Sequence, residues 1–104
     1  DATIALDFAL MRLAGMMERL TVYPARMAEN LESLGGVVHS QKALLALTGA
    51  GLSREAAYAA VQRAAMATWG GLGQPGARRF RDNLLADAEV ASRLDGAALD
   101  AAMD

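Results

Sequence analysis

Apolar positions in this chain recur at helical spacing from end to end, and β-branched residues are thin and never alternate. In the first twenty residues Ile4, Phe8, Met11, Leu13, Met17 and Leu20 are joined by Leu6, Leu10 and Met16 on other faces. The pattern predicts a helix over Asp1 to Leu20 that is apolar nearly all the way round, which is the signature of a helix buried on all sides. A chain of 104 residues has little interior in which to surround one. The expectation is that a partner subunit, or another part of a longer polypeptide, packs around residues 2 to 20. The competing expectation is that an alanine-rich bundle covers its own first helix.

Tyr23-Pro24 marks a boundary, because the residue before a proline avoids the α region while proline suits the first turn of a new helix. A second helix from Pro24 to about Leu34 places Met27, Leu31 and Leu34 on one face and Arg26, Glu29 and Glu32 elsewhere, and Gly35-Gly36 ends it. A third, about Val37 to Thr48, uses Val38, Leu44, Leu45 and Leu47 and stops at Gly49-Ala50-Gly51. Ser53 caps a fourth, in which Ala57, Val61, Ala64, Ala65 and Trp69 form a small-residue stripe for close packing, with Tyr58 beside it. Gly70 to Gly76 reads as a loop. A fifth helix from about Arg78 to Ala86 turns Phe80, Leu84 and Leu85 inward. Asp87 to Leu94 continues as a short turn or helix, and Asp95 caps a last one carrying Leu99 and Met103. The fold class is all-α, one long bundle helix followed by a small domain of about five short helices.

Composition removes several function classes. There is no cysteine, which excludes disulfide staples, thiolate metal sites and cysteine catalysis. A formal charge of −2 gives no pull toward a phosphate backbone or an anionic membrane, so neither nucleic acid nor membrane is expected as a partner. With 54% apolar and 21% charged residues the chain is not disordered. Asp7, Arg12, Glu18 and Arg19 interrupt the first segment at intervals too costly for a bilayer span. No targeting peptide opens the chain at Asp1, and a processed or excised fragment is the simplest expectation.

Candidate chemistry is sparse. His39 is the lone histidine, with no second histidine or carboxylate pair at i+3 or i+4 to form a metal face, so a structural or rim position is expected. His39-Ser40-Gln41-Lys42 gathers polar groups at a helix start that could attract an anion, and ordinary capping is the plainer expectation. Gly70 to Gly76 lacks the lysine and hydroxyl residue of a phosphate loop and reads as a surface connection. Arg78, Arg79 and Arg81 have only Phe80 interleaved and read as a solvated helix start. The six methionines read as core filler. The residues themselves show no catalytic, substrate-binding or metal set, and no cofactor is implied.

A series of short pieces then carries a resemblance. Asp1-Ala2-Thr3-Ile4-Ala5-Leu6-Asp7-Phe8, Val22-Tyr23-Pro24, Asn30-Leu31, Gly35-Gly36, Ser40-Gln41-Lys42-Ala43-Leu44-Leu45-Ala46-Leu47, Ser53-Arg54-Glu55-Ala56-Ala57-Tyr58, Val61-Gln62-Arg63 and Trp69 follow one another at compatible spacing. Together they resemble the bacterial adenylosuccinate lyases, over essentially the whole chain. The resemblance implies the C-terminal portion of an all-α, cytoplasmic purine-biosynthesis enzyme of the fumarase/aspartase superfamily, which eliminates fumarate and assembles as a homotetramer around a central helical bundle. Residues 1–21 would be the end of that bundle domain and residues 22–104 the C-terminal helical domain, cut short at Asp104. The family's catalytic serine loop and histidines, and its arginine and serine substrate contacts, have no counterpart here, and no catalytic role is carried onto His39. Lys42 stands where arginine is more usual, and the 70 to 76 loop is longer than typical. The related carboxymuconate cycloisomerases share this domain type, although the Val-Tyr-Pro, Ser-Gln-Lys and Val-Gln-Arg pieces fit the lyases better. A free-standing helical interaction module is the other reading, using the first helix to bind a partner.

Overall fold

A computed structural model describes all 104 residues and contains helices joined by turns, with no strand. The helices are α1 (Ala2–Glu18), α2 (Pro24–Glu32), α3 (Ser40–Gly49), α4 (Arg54–Gly71), α5 (Phe80–Leu85), α6 (Ala88–Ala91) and α7 (Gly96–Met103), with a 3-10 turn at Val37–His39 leading into α3. They divide into a core and an arm. Helices α3 to α7 pack together, α4 lying against α3 and α5 while α7 sits on α3, whereas neither α1 nor α2 packs substantially on any other helix.

The core is built from small side chains around a few large ones. Ala57, Ala60, Val61 and Ala64 of α4 meet Ala43 and Leu47 of α3, and Phe80, Leu84, Val90 and Leu99 close the remaining sides. Small residues on α4 let the neighbouring backbones approach closely, as the stripe predicts. The details differ from the pattern in an instructive way. Trp69 and Tyr58 face solvent, and Thr68 is buried in their place. Thr68 can be buried because its hydroxyl donates to the Ala64 carbonyl at 2.8 Å and accepts from the Asn83 amide at 2.9 Å, leaving no orphaned polar group. In α3 the buried residues are Ala43 and Leu47, while Leu45, and Val38 in the preceding 3-10 turn, point outward.

Side chains cap three of the starts, two of them, Ser53 and Asp95, as the sequence predicts. Ser53 accepts from the Ala56 N–H at 3.1 Å, Asp87 from Glu89 at 3.0 Å, and Asp95 from Ala98 at 2.7 Å. At α3 no side chain caps the helix, contrary to the expectation for His39 to Lys42. The preceding 3-10 turn supplies the entry instead, with the His39 N–H donating to the Gly36 carbonyl at 3.0 Å. Helix α4 runs through Gly70 and Gly71, so the loop begins two residues later than expected. Two glycines cost a helix end only about 1 kcal/mol each, and an established helix propagates over them until Gly73 turns to a positive φ of 77°.

The arm joins the core at Gly35-Gly36. Gly35 has a φ of 61°, a Cβ there would lie 2.9 Å from Thr68 Cγ2, and its carbonyl accepts from the Phe80 N–H at 2.9 Å. Gly35→Ala is therefore expected to destabilise the fold by about 2 kcal/mol through left-handed strain and overpacking. Gly49→Ala, on ordinary helical backbone with open space around it, is expected to be neutral or stabilising. Urea denaturation midpoints of the two variants against the unchanged chain check the pair.

Candidate functional site

The largest unsatisfied feature of the molecule is its apolar arm. No residue of α1 is buried, and Ile4, Phe8, Met11 and Met16 are each at least 60% exposed. At about 100° per residue most large apolar side chains of α1 fall into two opposite stripes, Leu6-Leu10-Leu13-Met17 and Ile4-Phe8-Met11, with Met16 between them on the Arg12 side. Asp7 stands on one boundary between them and Arg12 on the other, where the Arg12 guanidinium lies 5.5 Å from the Phe8 ring centroid. The arm makes the molecule long, 65 Å by 34 Å by 22 Å, with a radius of gyration of 20.8 Å against about 13 Å for a compact chain of this length. The chain exposes 7502 Å², where a compact 10.9 kDa monomer exposes about 5,600 Å².

Helix α2 continues the exposed apolar surface. Met27, Leu31 and Leu34 recur at i, i+4 and i+7 and, with Val38 from the 3-10 turn, line an open groove of about 380 Å³ whose single polar wall residue is Asn30. Val38 was expected in the core of the third helix. The 3-10 turn rotates it away from α3 and onto this groove.

A second, polar cleft of about 580 Å³ lies where α5 and α7 meet the Gly35-Gly36 turn, lined among others by His39, Arg79, Arg81, Met103 and Asp104. Its cations are spoken for. Arg81 pairs with Asp100 through two hydrogen bonds, one of them at 2.8 Å, and lies 3.5 Å from Asp82. Arg79 pairs with Glu32 and so ties α2 to the core. Lys42 donates to the backbone carbonyl of Asp104 at the end of α7, a favourable place for a cation on the helix dipole. The reading of Arg79 and Arg81 as merely solvated is corrected by these pairings. Sequence reasoning missed them because Glu32 is 47 residues from Arg79 and Asp100 is 19 from Arg81. His39 is half-buried on the cleft wall and stands without a catalytic partner. No group of three or more His, Asp or Glu side chains is placed to hold a metal ion. No helix is long and apolar enough to cross a membrane.

The profile of the family described as adenylosuccinate lyase C-terminus matches residues 36–104. The chain belongs to the adenylosuccinate lyase C-terminal family. The adenylosuccinate lyase of Deinococcus radiodurans is 46% identical over 105 residues, which takes in 100% of this chain, α1 included, and 22% of that protein. Adenylosuccinate lyase of Bacillus subtilis is 40% identical over 94 residues, 90% of this chain and 21% of that one. The Helicobacter pylori enzyme is 44% identical over 88 residues, 85% and 20% respectively. The chain thus spans about a fifth of the length of these adenylosuccinate lyases. No solved structure matches it.

Two carboxylates of the core titrate below the ordinary range. Asp87 is held down chiefly by hydrogen bonds from Arg63, at 2.6 and 3.1 Å, and also by the Glu89 N–H, against a smaller opposing effect of burial. Asp100 is held down by its hydrogen bonds from Arg81. A carboxyl whose folded pKa is depressed adds stability that is complete above its unfolded pKa of about 3.9 and is lost as pH falls through the folded value. The thermal midpoint is expected to be flat from about pH 7 to 5 and to fall below about pH 4. Asp87→Asn keeps the helix cap but removes the charge, so it should lower the midpoint at neutral pH and flatten the acid limb, as a calorimetric pH series would read.

Proposed function

We propose that this chain is the assembly portion of an adenylosuccinate lyase, the enzyme that eliminates fumarate from adenylosuccinate and from the earlier succinyl-carboxamide intermediate of purine biosynthesis. Residues 1–21 form the end of its central helical bundle and residues 22–104 its C-terminal domain, in a cytoplasmic homotetramer. The observation that carries this reading is α1, a helix with apolar stripes on two opposite sides and no buried residue, on a chain whose relatives are lyases. A two-sided helix is covered only when it lies between neighbours, which is the position of a bundle helix and not of a surface one.

The elimination chemistry sits elsewhere in such an enzyme. Breaking a C–N bond to release fumarate needs a base for the proton on the neighbouring carbon, an acid for the departing nitrogen and cationic clamps for the carboxylates. Here Arg63, Arg79 and Arg81 are neutralised by Asp87, Glu32 and Asp100, and His39 has no partner to make an acid–base pair. The role of these residues is to hold the subunits together and to seat the bundle end on a rigid domain.

Two measurements test this. The purified chain is expected to release no fumarate from adenylosuccinate above a blank, and release would overturn a purely architectural role. Leu10→Asp and Met17→Asp, both on the same stripe of α1, are expected to lower the light-scattering mass while leaving helical circular dichroism intact, because an unpaired charge in a packed seam is strongly unfavourable. Variants that keep the full associated mass would contradict the buried-seam reading.

A further inference from the structure

We draw no further inference here: the strongest candidate, the polar cleft of about 580 Å³ where α5 and α7 meet the Gly35-Gly36 turn, carries nothing because its two arginines, Arg79 and Arg81, are already paired with Glu32 and Asp100 and no buried, unpartnered polar group in it points to a ligand.

Discussion

A helix that is apolar on two opposite sides can be covered only from two opposite sides, and α1 is such a helix. Leu6, Leu10, Leu13 and Met17 demand one neighbour, and Ile4, Phe8 and Met11 demand another, while the rest of the chain buries only twelve residues of its own. Eleven of those twelve form one cluster among α3 to α7 and the turn before α4, and nothing is left over to lay on either side of α1. The division into a compact core and an extended arm follows from that shortage.

The core compensates for its size by approach and by ties between elements. Alanines on α4 let α3 and α5 come close, so that Leu47, Phe80 and Leu84 are fully enclosed. Polar ties then fix the shorter helices that packing alone would hold loosely. Thr68 with Asn83 joins α4 to α5, and Arg81 with Asp100 joins α5 to α7. Asp87 both caps α6 and receives Arg63 of α4. Exposed ion pairs of this kind stabilise little individually. Their use here is to orient helices of four to eight residues that have too few apolar side chains to orient themselves.

Much of this was legible in the sequence because it is local. Pro24, Ser53 and Asp95 mark helix starts by chemistry confined to one turn, and Gly35-Gly36 marks a stop for the same reason. The over-apolar first helix was legible too, since periodicity records what a helix wants whether or not a partner is present. What could not be read is what depends on contacts between distant positions. Helical spacing puts Trp69 in the small-residue stripe, yet Thr68 is buried in its stead, because Asn83 in a different helix satisfies the hydroxyl. Helical spacing puts Val38 in the third helix, but a single 3-10 turn rotates it onto the arm's groove. The pairings of Arg79 and Arg81 lie beyond any local pattern.

The junction between α2 and the core is tied at several points. Helix α2 has no substantial packing on the core, so a flexible connection there would let the arm swing and would dissipate the orientation of α1. Three features oppose that swing. Gly35 admits the close approach of Thr68, its carbonyl is bonded by the first amide of α5, and Arg79 just before that amide reaches back to Glu32. The first rests on α4 and the other two meet at the start of α5, whose Phe80 and Leu84 are fully buried. The direction of α2 is thereby referred to the best-packed part of the molecule, whereas α1, beyond the link from Arg19 to Tyr23, has no such tie.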